Sequence, residues 1–475
     1  MRYSPLLTDL YELTMLAGYL EEGMMEQPAV FDLYFRTNPF EGAYAVFAGL
    51  EPALDFLEQV RFSEQELTYL TGLGLFKAHF IDYLRGFTFR GTVTAPAEGS
   101  AVFANEPLLT VQGTLAEAQF VETALLNIIN FQTLAATKAA RICHAADGAE
   151  VAEFGLRRAH GPDGGLSASR AAAVGGCKGT SNMLAGKLFG LPVRGTQAHS
   201  WIQAFPDELS AFRAYAGAFP ESTILLVDTY DVLRSGIPNA IIIARELRDQ
   251  GHELRGIRID SGDLAYFSRE ARRMLDNAGF NSVKIVVSND MDEFVIESVR
   301  SEGGRVDIYG VGTSLVTGAG IGGGALGGVY KLVEIEGKPT LKITGDIAKS
   351  TLPGKKRVLR LLEPGGGFIQ DVICLEDELI QAGDTVYDPT NHLRTTTLPP
   401  DAGMMELRRL VMSGGSRTQP GESLSSMAER SREELDKLPS GCLRLVKPHR
   451  YKVSISEQLK CLRSDLIDKI GKGMA

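Results

Sequence analysis

The chain is poor in the residues that organise many small or exported proteins, with a single tryptophan and only five cysteines in 475 residues. Those cysteines (Cys143, Cys177, Cys374, Cys442 and Cys461) are odd in number and scattered, and no C-x-x-C pair occurs. Neither a disulfide framework nor a cysteine zinc site is therefore indicated. Long apolar runs are missing too; none approaches the roughly 20 residues that span a bilayer. The first residues, Met1-Arg-Tyr-Ser-Pro-Leu-Leu-Thr-Asp9, lack a charged stretch followed by an apolar one, so no export signal is expected there. Basic residues are the minority, 49 against 59 acidic, for a net charge of -10. That speaks against a broad nucleic-acid footprint but allows a local basic pocket for phosphates. What these absences leave is a soluble, cytoplasmic chain with no membrane partner. At 44% hydrophobic and 23% charged it is long enough for two or three domains.

What is present falls into three textures. Residues 1–125 mix helical spacing (Leu10, Leu13, Leu16 and Leu20 after a capping Thr8 or Asp9) with β-rich runs at 29–35 and 87–112, an N-terminal α+β domain. A long helix is expected over 115–146. Over 126–335, short apolar runs at 150–154, 223–228, 255–259, 283–287 and 306–311 alternate with helical patterns, as in 237–250, 264–278 and 292–300. From Ile224 to Val306 the strand starts lie about thirty residues apart, the length of a βα unit, which predicts a parallel sheet, barrel or open. Beyond that, 336–475 reads as an antiparallel and helical C-terminal segment packing with the N-terminal domain. The antiparallel pattern begins beyond Gly327, where 329–335 and 340–343 form a hairpin; further on, Lys355-Lys-Arg357 lies on a surface loop or strand, a helix covers 454–470, and 399–445, rich in Ser, Gly and Pro, is partly mobile.

Polar clusters follow the predicted strands one after another: Gly155-Leu-Arg-Arg158, Asp228-Thr-Tyr-Asp231, Asp260-Ser-Gly-Asp263, Ser288-Asn-Asp290 and Gly310-Val-Gly-Thr313. In parallel α/β architectures the C-terminal strand ends form the active face, so five such loops point to an enzyme. Gly310-Val-Gly-Thr313 can bring backbone N–H groups and a hydroxyl to a phosphate, or be a plain glycine turn. Asp260 and Asp263 suit magnesium or sugar hydroxyls; capping the next helix is the alternative for Asp263. An arginine fork at Arg157 or Arg158 matches a carboxylate or phosphate. His199, at a strand end or helix start after Gly195-Thr-Gln-Ala, can present a nucleophilic nitrogen or be a structural histidine.

In chain order, Asp9-Leu-Tyr-Glu-Leu-Thr-Met15, Glu153-Phe-Gly-Leu-Arg-Arg-Ala-His-Gly-Pro-Asp-Gly-Gly165, Gly195-Thr-Gln-Ala-His-Ser200, Ile259-Asp-Ser-Gly-Asp263, Gly310-Val-Gly-Thr-Ser314 and Gly327-Gly-Val-Tyr-Lys331 resemble the nicotinate phosphoribosyltransferases. The resemblance spans about residues 3–360; the tail after 400 carries no motif. It implies a type II phosphoribosyltransferase fold, an irregular α/β barrel with an additional α/β domain built from the N- and C-terminal segments. The implied reaction joins nicotinate to 5-phosphoribosyl 1-diphosphate, giving nicotinate mononucleotide and diphosphate, with ATP as co-substrate and Mg2+ required. This is the first step of NAD salvage from nicotinate.

The resemblance also implies roles. His199 is transiently phosphorylated by ATP; Tyr11, supplied by the partner subunit of a homodimer, and Phe154 sandwich the pyridine ring. Arg157 holds the nicotinate carboxylate, Asp260 the ribose side of the donor, and Gly312 with Thr313 its 5′-phosphate. Arg258 and Asp290 complete the substrate-binding set, with magnesium near Asp260 and Asp263. Ser181 stands where the related nicotinamide enzyme carries an aspartate, so it either reads acid against amide or merely caps the helix from Met183. Competing readings are a nicotinamide or quinolinate phosphoribosyltransferase, a flavin- or nucleotide-binding barrel using the 310–328 glycines, and a non-catalytic relative.

Overall fold

The computed structural model describes residues 3–343 and 351–472; Met1 and Arg2 of the N-terminal reading lie outside them. The chain divides into two compact units, one made of Met1–Leu134 with Ala325–Ala475, the other of Ala135–Gly324. The expected divisions after 125 and 335 therefore fall about ten residues from those of the fold, because the helix Glu122–Ala146 runs across the first boundary. Among the described residues, no helix is long and apolar enough to cross a membrane.

The contiguous unit is built on a six-stranded sheet in the order Gly179–Thr180, Glu150–Glu153, Ile308–Val311, Lys284–Val287, Gly256–Ile259, Ile224–Leu226. Every neighbouring pair is parallel. Strands covered on both faces need continuous apolar runs, and Leu225, Leu226, Ile257, Ile259, Ile285, Val286, Val287 and Val311 are all buried. Helices Ile237–Asp249, Leu264–Asn277 and Glu293–Ser301 supply the crossovers. Asp263 and Asp292 cap two of them, accepting from Tyr266 N at 2.9 Å and Val295 N at 2.8 Å. Asp263 is thus the helix cap. Among the described residues the ladder does not close between Gly179–Thr180 and Ile224–Leu226, which is what makes this α/β barrel irregular.

The other unit draws on both ends of the chain. Its seven-stranded sheet runs Lys338–Pro339, Gly328–Ile335, Pro28–Phe35, Leu109–Thr114, Thr92–Ala95, Arg409–Ser413, Ser416–Arg417. A second, six-stranded sheet contains Lys356–Leu362, Phe368–Leu375 and Lys452–Ile455. Arg360, fully buried, joins the latter sheet to its surroundings through Asp371 (2.7 Å), Glu434 (2.9 Å) and the Ala101 carbonyl (2.7 Å).

Several local expectations need correction. The helix expected over 115–146 breaks at Val121 into Leu115–Phe120 and Glu122–Ala146. Within 87–112, Ala101–Val102 leaves the large sheet and pairs with Ala45–Val46. The hairpin partner of Gly328–Ile335 is Lys338–Pro339 rather than 340–343; Glu336 and Gly337 both take positive φ (49° and 72°), which lets two residues make the turn. Lys356 is buried against Asp32 at 2.9 Å, not on the surface. The 399–445 stretch, expected to be partly mobile, contains strands Gly403–Glu406 and Arg409–Ser413 and helix Leu424–Asp436. Its exposed faces carry the polar composition, while Met412 and Met427 are buried.

Candidate active site

Because the six strands are parallel, the residues that follow them share one rim. In sheet order these are Ser181, Phe154, Gly312, Ser288, Asp260 and Asp228. The sequence therefore brings Phe154, Ser181, Asp260, Asp290, Gly312 and Thr313 to strand ends of a single sheet. Tyr11 does not join them within this unit. It lies on the helix Leu10–Glu21 of the other unit, about half of it exposed, and partial burial of the phenol with the nearby Glu122 and Glu12 carboxylates pushes it up to about 12. Beside it the fully buried Glu12 carboxyl is pushed up to about 7, chiefly by burial. Asp9, expected as a possible cap, sits at the N-cap position but accepts from Thr123 Oγ1 instead (2.9 Å).

The floor under Phe154 and Ser181 is a buried polar network centred on Glu153. One carboxylate oxygen accepts from the Gly155 N–H; the other accepts from Ser169 Oγ at 2.8 Å and Thr180 Oγ1 at 2.6 Å. Thr180 Oγ1 in turn accepts from Asn182 N at 3.0 Å. Asn182, not Ser181, caps the helix Met183–Phe189, its side chain accepting from Ala185 N at 3.2 Å. Ser181 N donates to the Glu153 carbonyl at 2.8 Å, and among the described residues no hydrogen bond of its hydroxyl is seen. The capping alternative for Ser181 is thereby removed.

Phe154 is held by close-packed glycines. A Cβ on Gly310 would lie 2.7 Å from Phe154 Cδ2, and one on Gly155 would lie 2.2 Å from Val316 Cγ1. The Arg258 guanidinium stands 5.8 Å from the Phe154 ring centroid. Arg157 is exposed on the short turn Leu156–Arg158, with no partner among the described residues. Thr313 opens the short helix Thr313–Val316 with Gly312 at its N-cap, so N–H groups there face outward beside an exposed hydroxyl.

Two strands away in the sheet, the charges converge. Arg258 donates to Ser288 Oγ and to Asp260 Oδ1, both at 2.8 Å, and Ser288 donates to the same Asp260 oxygen. Asp228, almost fully buried, accepts from Asp260 N (2.9 Å) and Ser261 Oγ (2.6 Å) through Oδ2, while its Oδ1 has no hydrogen-bond partner among the described residues. His199 begins the helix His199–Gln203, so it sits at a helix start rather than a strand end. Its Nδ1 lies 3.1 Å from Thr229 Oγ1. Its Nε2 faces Asp228 Oδ1 at 3.9 Å and Asp260 Oδ2 at 4.0 Å. Asp290 is exposed beyond Asn289, whose φ of 116° is a conformation that side-chain-bearing residues seldom adopt.

Asp228, Thr229, Ser288 and Glu153 are site residues to which sequence reasoning gave no role. The signal was available: each stands at or just after the end of an apolar run. Magnesium needs only one or two protein carboxylates and takes its other ligands from water and phosphates. Asp260 fits, since its Oδ2 is turned toward His199 and away from the Arg258 contact. Asp263, exposed three residues on, caps its helix through Oδ1 and adds a second carboxylate near Asp260. Among the described residues no group of three or more His, Cys, Asp or Glu could hold a metal by itself.

Comparison with known proteins covers nearly the whole chain. Residues 6–130 match the nicotinate phosphoribosyltransferase N-terminal domain, 149–364 the nicotinate phosphoribosyltransferase family and 355–463 its C-terminal domain. A nicotinate phosphoribosyltransferase of Bacillus subtilis (strain 168) is 44% identical over 458 residues, 95% of this chain and 92% of that one. The crystal structure of human nicotinic acid phosphoribosyltransferase superimposes with a TM-score of 0.86 at 34% identity, covering 97% of this chain and 99% of that one. A nicotinate-nucleotide pyrophosphorylase from Pyrococcus furiosus shares the fold at TM-score 0.71 and 24% identity, over 91% and 95% of the two chains.

Proposed function

The chain belongs to the nicotinate phosphoribosyltransferase family, and from that membership we propose how its own residues carry out the reaction. Nicotinate displaces diphosphate from the anomeric carbon of 5-phosphoribosyl 1-diphosphate, and the synthesis of nicotinate mononucleotide is coupled to ATP through His199. The observation that carries the coupling is the setting of that imidazole. With Nδ1–H donated to Thr229, Nε2 keeps its lone pair and points into the rim between two carboxylates. Nε2 attacks the γ-phosphorus of ATP, ADP leaves, and water later cleaves the N–P bond to release phosphate.

The pyridine ring stacks on Phe154, with Tyr11 of the partner subunit on its other face. Arg157 and the Ser181 hydroxyl take the carboxylate of nicotinate. Asp260, held in place by Arg258 and Ser288, receives the ribose hydroxyls, and the N–H groups at Gly312 and Thr313 receive the 5′-phosphate. Asp290, exposed beyond the strand end Lys284–Val287, completes the substrate-binding set. Asp260 would hold magnesium, which would neutralise phosphate charge there. As positive charge builds on the ribose ring in the transition state, the protein's task is mainly to align base and ring. The enzyme works in the cytoplasm as a homodimer.

Two measurements test this. Product analysis with nicotinate and nicotinamide, each with and without ATP, identifies the base and the coupling. His199→Ala is expected to abolish acid-labile labelling from γ-labelled ATP; a variant that still takes up label at the wild-type rate removes His199 from the role.

A further inference from the structure

The unclosed edge of the barrel carries an unusual bond. Alternate residues of a strand point their N–H and C=O groups to opposite sides. Thr223 O and Val227 N serve the Gly256–Ile259 side, through Arg255 N (2.9 Å) and Arg258 O (3.0 Å). The Ile224 carbonyl and the Leu226 N–H are therefore turned to the outer edge, where no strand pairs among the described residues. The buried side chain of Gln197 occupies that edge. With its amide oriented to satisfy both groups, the nitrogen donates to Ile224 O at 2.9 Å and the oxygen accepts from Leu226 N at 3.3 Å. A neighbouring parallel strand would bond in the same pattern with its backbone.

The same segment also reaches the opposite edge. Thr180 N donates to Pro192 O (3.0 Å) and Arg194 N to Thr180 O (2.9 Å), so 192–194 extend the sheet beside Gly179–Thr180. Gly179 permits this approach, because a Cβ there would lie 2.6 Å from Arg194 Cγ. Residues 192–197 thus span the opening, with backbone bonds at one end and a side-chain amide at the other. Two residues past Gln197 stands His199. The strand that Gln197 grips runs on to Asp228 and Thr229, the two groups nearest the imidazole.

We infer that Gln197 is a positioning residue: its carboxamide closes the barrel seam and sets the register of the loop that aims His199 at Thr229 and Asp228. This rests on the reading of His199 as the phosphoryl acceptor. Only an amide of this length serves, since a carboxylate cannot donate to the Ile224 carbonyl and a methionine can make neither bond.

The test uses the full-length enzyme with Gln197→Met and Gln197→Glu, both close to glutamine in size. Acid-labile label in the wild type, absent from His199→Ala, upholds the acceptor role; no label in the wild type overturns that role and the inference with it. With the role upheld, the Leu226 amide is expected to exchange faster with solvent in Gln197→Met. The labelling rate should fall by about 10–100-fold, the effect of misplacing a reacting group by about 1 Å, while the KM for nicotinate stays within about threefold. Gln197→Glu should be impaired in the same direction. Labelling at the wild-type rate in Gln197→Met overturns the inference. So does a parallel loss of labelling and nicotinate affinity, or failure of both variants to fold, since either assigns Gln197 to barrel stability alone.

Discussion

Gly310→Ala isolates the part played by the Phe154 ring. The new methyl would fall 2.7 and 2.8 Å from Phe154 Cδ2 and Cε2 and 3.2 Å from Ser288 Cβ. Carbon atoms settle at about 3.5–4.0 Å, so the ring must retreat by about 1 Å. The backbone at 310 needs no left-handed conformation, so alanine introduces crowding and little else. Overpacking of this kind costs about 1–3 kcal/mol of stability, a tolerable loss for a protein assayed at 25 °C. Aromatic stacking is worth about 0.5–1.5 kcal/mol; losing most of it should lower kcat/KM for nicotinate about 3–10-fold. The tightest new contacts fall on Phe154 and only a looser one on Ser288, so the KM of the phosphoribosyl donor should rise less than that of nicotinate. Steady-state kinetics with each substrate varied in turn separates the two effects. A nicotinate KM equal to wild type, in a variant whose Phe154 has demonstrably moved, would refute the stacking role.

Ser181→Asp places a second anion where the nicotinate carboxylate is received, and should reduce its kcat/KM by about 10–100-fold, or ~1.5–3 kcal/mol; unchanged kinetics would take Ser181 out of the site. Mixing inactive Tyr11→Ala with inactive His199→Ala subunits should restore activity to about a quarter of wild type, because half the dimers of a random mixture hold one intact site out of two. No recovery after proven subunit exchange would place Tyr11 in its own chain's site. Glu12 has a folded pKa of about 7, above its unfolded value. The native state therefore binds the proton more tightly, and Glu12 destabilises the fold progressively as pH rises from about 4.5 to 7, by no more than about 3 kcal/mol. Glu12→Gln removes this titration, so its Tm relative to wild type should be higher at pH 8 than at pH 5; an equal difference at both values would contradict it.

The parallel sheet was legible because strands buried on both faces must be continuously apolar. Leu225–Val227 and Ile285–Val287 announce themselves, and the polar residues that follow them fall on the rim by topology. Residue roles on the rim were less so. Asp228 and Ser288 are ordinary loop residues in one dimension; their importance lies in bonds to Asp260 that cross from one strand to the next. The choice between Ser181 and Asn182 as helix cap turns on a few degrees of backbone and one side-chain bond. Gln197 gave no signal, since nothing in a sequence indicates that a side chain will stand in for a strand. The two-ended unit was legible only as a packing relation. Periodicity identifies Pro28–Phe35 and Gly328–Ile335 as strands but carries no information that they are neighbours.

That adjacency has a consequence for the order in which the protein is made. Pro28–Phe35 finds one neighbour, Leu109–Thr114, early in synthesis, and the other, Gly328–Ile335, only about 290 residues after its own end. At about 5–20 residues per second on a ribosome, that edge stays unpaired for about 15–60 s. Thr92–Ala95 waits longer still, for Arg409–Ser413. The barrel unit, contiguous from Ala135 to Gly324, emerges whole in that interval. The nascent chain thus carries a finished barrel together with a half-built sheet whose free edges can pair with other chains. A ribosome that stalls before Arg409 leaves one of those edges open for good.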